Sequence, residues 1–160
     1  MVILALFAAM IIAFKEVMNA LPNIHPVTLL LLLAAERYGF KALLPTYVFV
    51  LVEGFIHGFH IWFIGYLYVW ALWVLLVIAL RRFSHPALWV VLAGMHGLLF
   101  GTLTSIPFFF TGGVALGVST ILTGLSFDIT HMCGNIVMVG LLYVPLKRAL
   151  DIADRAHTHT

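Results

Sequence analysis

Six apolar runs, each cut off by proline, glycine or charge, follow one another along this chain, and such a succession leaves few folds open. A helix that crosses a bilayer needs roughly 20 apolar residues, and the runs fall at about 2–20, 26–37, 42–60, 63–81, 86–107 and 124–147. The second is short, roughly 18 Å at 1.5 Å per residue. It spans only if the bilayer thins or if the helix extends through Tyr38 to Lys41. The segment 108–123, FFFTGGVALGVSTILT, is apolar but rich in Gly and Thr. It is expected to be a loop or partial helix packed on protein, because irregular backbone facing lipid leaves polar groups unsatisfied. Of the 160 residues 64% are hydrophobic and 9% charged, against roughly a half and a quarter in soluble domains. The expected fold is therefore all-α and membrane-embedded, one six-helix domain over 1–150 with a short tail over 151–160. The opening MVILALFAAMIIAF lacks the positive n-region and small-residue cleavage site of a signal peptide and reads as the first span. The single Cys133 excludes a disulfide framework. A net charge of +2 gives no ground for a nucleic-acid partner.

The basic residues orient this arrangement. Arg37 and Lys41 fall between spans two and three, Arg81 and Arg82 between four and five, and Lys147, Arg148 and Arg155 at and beyond the end of span six. All seven lie on one side. The positive-inside rule makes that side cytoplasmic, with both termini inside and an even number of spans.

Polar residues inside the spans then acquire a depth. An Asp at the centre of a membrane helix costs about 2.5 to 3.5 kcal/mol on the insertion scale, so each such group calls for a recipient. Asp128, His131 and Asn135 share one face in the outer half of span six, and Glu53, His57 and His60 share one face of span three. Lys15, Glu16 and Asn19 end span one, before the turn Leu21-Pro22-Asn23-Ile24-His25-Pro26, and Trp62, Tyr66, Trp70 and Trp73 recur along one face of span four. The expected shape is a cup opening outward, with the stripes of spans three and six facing each other. Plainer uses stand beside this one. Asp128 suits a helix N-terminus, His131 and Asn135 suit interhelical bonds worth about 0.6 kcal/mol each, and the Trp/Tyr stripe suits an interfacial belt. His96 reads as an isolated packing histidine, and His85 as solvated beside Arg81 and Arg82. His57, His60, His25 and His131 with Glu53 and Asp128 are acceptable transition-metal ligands, although no HExxH or paired Cys/His pattern accompanies them. No nucleophile, phosphate cradle or cofactor box is present, so neither catalysis nor a resident cofactor is expected.

Ala5, Ala9 and Ala13 form an Ala-xxx-Ala-xxx-Ala ladder on span one, a smooth face that admits another helix at close range. Taken with the turn and helix LPNIHPVTLLLLL, the segment YVFVLVEGFIHGFHIWFIGYLYVW and the Phe127-Asp128-x-x-His131-x-x-Gly134-Asn135 of span six, the chain resembles the substrate-binding S component of an energy-coupling factor (ECF) transporter over about residues 5–148. That resemblance implies a subunit of the prokaryotic cell membrane, not itself an enzyme. It would bind a vitamin or related organic micronutrient in an outward-facing cavity, with a membrane coupling protein (the T component) and two ATPase subunits as partners, and it would topple in the membrane to deliver its load. Carried onto this sequence, Glu53, His57, Asp128, His131 and Asn135 would hydrogen-bond the substrate, and Trp62, Tyr66 and Trp70 would stack on a flat ring. Asn19, Asn23 and His25 would form the gate, and Ala5, Ala9 and Ala13 would meet the coupling protein. His60 departs from the family pattern, standing where a small or aromatic residue is expected. Two other readings stay open: a transition-metal uptake subunit using His57, His60 and His131, and an intramembrane enzyme.

Overall fold

A computed structural model describes residues 2–20, 24–83 and 85–158, the side chains of 156–158 excepted. Among the described residues the helices follow in order: α1 (Val2–Val17), α2 (Val27–Tyr38), α3 (Leu43–His57), α4 (Ile61–Leu80), α5 (Pro86–Thr104) and α6 (Ile106–Thr158), the last broken at Gly113. Short 3-10 turns at Gly39–Ala42 and Arg81–Phe83 follow α2 and α4, and no strand occurs among the described residues. Four helical stretches are long and apolar enough to cross a membrane: Val27–His57, Ile61–Phe83, Pro86–Thr104 and Ile106–Arg155. The first contains a reversal at Gly39, whose φ of 57° lies in the left-handed region where a Cβ is unfavourable. Before it Arg37 lies against Asp151, and after it Glu53 lies against Lys15, at opposite ends of the bundle. Helix α1 has 16 residues and falls short of a full crossing by length.

The short α2 is the axis of the bundle. Its residues from Val27 through Ala35 are all buried, enclosed by α1, α4 and α6. A helix that is apolar all round belongs in an interior, and Trp73 on α4 ties its first turn by donating Nε1–H to the Thr28 carbonyl at 3.0 Å. The outward surfaces of the other helices carry large apolar side chains such as Leu6, Phe55, Leu72 and Leu141. An exposed apolar envelope around a buried core suits a lipid environment.

Segment 108–123, expected as a loop or partial helix packed on protein, is helical on both sides of Gly113 and mostly exposed, and its Thr content is accommodated within the helix. Thr120 and Thr123 turn their hydroxyls back to the carbonyls of Leu116 and Ser119 at 2.8 and 2.9 Å, so each helix carbonyl absorbs a polar group that lipid would not accept. The one break is Gly113, at φ 73° and ψ −174°. There the chain folds back, and Gly117 packs under the Phe109 ring. Of the tail expected over 151–160, residues 151–158 continue α6, held by Arg37, which donates to Asp151 at 2.9 Å, to Asp154 and to the Leu150 carbonyl at 3.0 Å.

Helices α5 and α6 share the most extensive contact in the molecule. His85 starts α5 by accepting from the Ala87 N–H at 3.3 Å, with Pro86 at the first helical position, where a missing N–H costs nothing. Gly94, Gly97 and Gly101 then line one side of α5 and let α6 approach to backbone distance: a Cβ on Gly97 would lie 2.7 Å from the Met132 nitrogen and 2.8 Å from the His131 carbonyl carbon. Backbone cannot yield as a side-chain tip can. Gly97→Ala is therefore expected to destabilise the protein by about 1–3 kcal/mol through overpacking, read as a fall in thermal midpoint. An unchanged midpoint would mean that the two helices are not in this contact.

At the opposite end from Lys15 and Glu53, the Glu36 carboxylate collects three donors. Trp89 Nε1 lies at 3.0 Å, Tyr143 OH at 2.8 Å and Lys147 Nζ at 3.3 Å. Arg37, Arg81 and Lys147 line one pocket there, so basic residues far apart in sequence come together at one end of the bundle.

Candidate functional site

Helix α3 brings Glu53 and His57, one turn apart, to the end of the bundle remote from Arg37. Neither meets α6. Their partner is α1: Lys15 Nζ lies 2.8 Å from Glu53 Oε2, 3.1 Å from Glu16 Oε1 and 3.2 Å from His57 Nε2. This corrects the expectation that the stripes of spans three and six face each other. Glu53 is buried, and while Oε2 is held by Lys15, Oε1 has no hydrogen-bond partner. A cavity of about 250 Å³ opens on this group, lined by Lys15, Asn19, Glu53, His57, Trp62 and Tyr66. Glu16, Glu53 and His57 also place ligand atoms within 4.8 Å of one another, as a metal site would. The Lys15 ammonium takes the cation's place among them.

From this cavity an aromatic column descends into the bundle. The Trp62 and Tyr66 rings meet edge to face at 4.9 Å and Tyr66 meets Trp70 at 5.9 Å, the i, i+4 spacing of α4 stacking them on one side. At its foot Trp70 stands among three imidazoles. His131 of α6 lies 5.5 Å from His25 and 6.2 Å from His96 between ring centroids, and Phe100 of α5 lies 4.9 Å from His131. All three histidines are buried, His131 to 1% exposure. His25 Nδ1, both nitrogens of His96, both nitrogens of His131 and Trp70 Nε1 have no hydrogen-bond partner. His25 lies just before α2, outside the helical spans. Burial, helped by the Lys15 charge, pushes its pKa down to about 4, which favours the neutral imidazole.

Six unpartnered nitrogens in one place are unusual, since buried polar groups are almost always paired. A neutral imidazole presents one donor and one acceptor, and an indole presents a donor. The nest therefore holds both donors and acceptors without partners, in a part of the bundle closed to solvent.

The remaining predicted site residues divide. Asp128 and Asn135 are already engaged by α5: Asp128 Oδ1 accepts from the Gly101 N–H at 2.8 Å, and Asn135 Nδ2 donates to the Ala93 carbonyl at 3.0 Å. They act as interhelical ties, and of the polar face on α6 His131 alone is left without a partner. Asn19 lines the cavity, while Asn23 lies outside the described residues. His60 is exposed at the α4 N-terminus and joins neither group. Ala5, Ala9 and Ala13 are all exposed, and Ala5 and Ala9 line an apolar groove of about 590 Å³ against Leu44, Pro45 and Val48 of α3. Sequence reasoning missed His96, which has no polar neighbour on α5. The available signal was Phe100, four residues on and so on the same helical face. Compared with models of known protein families, curated protein sequences and solved structures, the chain matches none.

Proposed function

We propose that this chain is a six-span membrane protein of the prokaryotic plasma membrane that captures a small organic micronutrient, and that it serves as the S component of an ECF-type transporter. The observation that carries the reading is the nest of His25, His96, His131 and Trp70, with six nitrogens lacking partners below an aromatic column that leads to an open cavity. A binding site needs an apolar, aromatic lining with a few polar groups left free to orient the ligand. The basic residues gathered at the other end support an outward-facing cavity under the positive-inside rule. The groove along Ala5 and Ala9 offers a close-packing face for the coupling protein, whose two ATPase subunits would supply the energy. In this reading Trp62, Tyr66 and Trp70 hold a flat ring, Glu53 and the imidazoles, His25 among them, bind its polar edge, and Asn19 lies at the entrance. Metal uptake could draw on the clustered ligand atoms of Glu16, Glu53 and His57, but it would require Lys15 to leave both carboxylates.

Native mass spectrometry of the protein, purified from cells grown with a mixture of water-soluble vitamins, tests the reading. A stoichiometric organic mass released on denaturation is the expected result. A protein that stays at its bare mass, or carries a transition metal instead, overturns it.

A further inference from the structure

At the basic end of the bundle two cavities join. One, of about 310 Å³, is lined by Glu36, Arg37, Arg81 and Lys147 together with Leu33 and Leu150. The other, of about 540 Å³, is a groove that follows α2 from Pro26 to Leu33 between α1 and α6, with Met10, Phe14, Met138 and Leu142 among its walls. Leu33 and Leu150 line it too, so groove and basic pocket form one continuous slot. Every side chain along the groove is apolar, and Met10, Phe14 and Leu142 stand exposed at its rim. The cations of the pocket differ in their engagement. Arg37 is held by Asp151 and Asp154, and Lys147 by Glu36. Arg81 is exposed and lies against the Gly39 reversal, where a Cβ would come within 3.1 Å of its Nη1. Among the described residues no carboxylate is in ion-pairing range of it. The seven basic side chains of this end face three acidic ones, Glu36, Asp151 and Asp154, which leaves an excess of four positive charges.

We infer that this slot holds an anionic phospholipid of the surrounding bilayer, with one acyl chain in the groove along α2 and the phosphodiester against Arg81 at the rim of the basic pocket. A guanidinium presents paired N–H donors that match two phosphate oxygens, and basic pockets between membrane helices take anionic headgroups by this chemistry. A soluble phosphate would use the pocket and leave the apolar groove empty. A zwitterionic lipid would fill the groove but place its own ammonium among the excess positive charges. An anionic lipid satisfies both parts of the slot. Its chain completes the enclosure of α2 on the side where α1 and α6 leave the groove between them. The inference requires that the chain lie in a membrane and does not depend on what the cavity beside Glu53 captures.

Dioleoyl phosphatidylglycerol and dioleoyl phosphatidylcholine share their chains and differ in headgroup charge, so titrating each into the purified full-length protein under native mass spectrometry tests the site. Phosphatidylglycerol is expected to bind at least about fivefold more tightly, the effect of a single basic side chain on an anionic lipid. Arg81→Gln should narrow that preference by about the same factor. Arg82→Gln removes an equal charge from the next residue, which lies over the Phe83 ring at 4.9 Å and does not line the pocket, and it should leave the preference as it was. Met10→Trp fills the groove and should weaken both lipids. Millimolar glycerol 3-phosphate should displace neither. The order of the two lipids on the unaltered protein needs no variant, so it decides the matter even if a substitution fails to fold. Equal binding of the two lipids overturns the site. Equal losses in Arg81→Gln and Arg82→Gln overturn it in favour of diffuse surface charge, unchanged binding in Met10→Trp removes the acyl chain from the groove, and displacement by glycerol 3-phosphate makes the pocket one for soluble phosphate. A co-purified vitamin without a lipid preference removes only this site, whereas a lipid preference without such a vitamin removes only the capture role.

Discussion

Replacing Glu36 by alanine is expected to cost about 1–3 kcal/mol, the scale of leaving buried donors without their acceptor. Trp89 and Tyr143 are buried, and with Lys147 they converge on this one carboxylate from α5 and α6. Without it Trp89 loses this acceptor, and Tyr143 and Lys147 each lose one of their contacts. Glu36→Gln should cost less, since the amide oxygen still accepts from Trp89 or Tyr143 while the charge that holds Lys147 is gone. Thermal unfolding of the two variants in the same detergent checks the order. If alanine and glutamine are alike and both near the parent, the three donors find other acceptors and the network is not what joins α2 to the α5–α6 pair.

His131→Leu should move stability in the other direction. The ring is buried, both nitrogens lack partners, and its neighbours are His25, His96, Trp70 and Phe100. Leucine removes two unpaired polar atoms and brings a side chain of similar bulk. The ligand-free protein should gain about 1–3 kcal/mol, the usual cost of an unsatisfied buried group. Ligand capture should meanwhile fall sharply, because His131 is the polar group of α6 left free for a ligand. A higher thermal midpoint together with loss of the co-purified mass is the expected pair of results. A lower midpoint would show that the imidazole is structurally satisfied, and the nest would lose its claim to be a binding site.

What the sequence disclosed and what it concealed follow from the range of each interaction. Charge avoids lipid over the whole length of a helix, so Arg37, Arg81 and Lys147 could be assigned to one end without knowing any contact. Helical periodicity likewise identified Trp62, Tyr66 and Trp70 as one face. A wheel does not tell which helix that face meets. Glu53 therefore looked toward α6 on paper and turned out to be held by Lys15 of α1. His96 looked solitary because its neighbours come from α4 and α6. Asp128 and Asn135 looked free because their recipients are a backbone N–H and a carbonyl beside glycines, which no side-chain pattern announces. The helix over 108–123 was hidden for a related reason, its Thr hydroxyls being satisfied by carbonyls four residues back.

The enclosed position of α2 has a consequence for biogenesis. It leaves the ribosome before two of the helices that enclose it, α4 and α6. At 12 residues it is well under the roughly 20 that hold a helix in a bilayer unaided. Until those later helices arrive, α2 lacks much of its enclosure, and its place in the membrane is a loan from segments not yet synthesised. Truncated chains ending before α4 are thus expected to leave α2 accessible to water-soluble labels, while the completed bundle seals it.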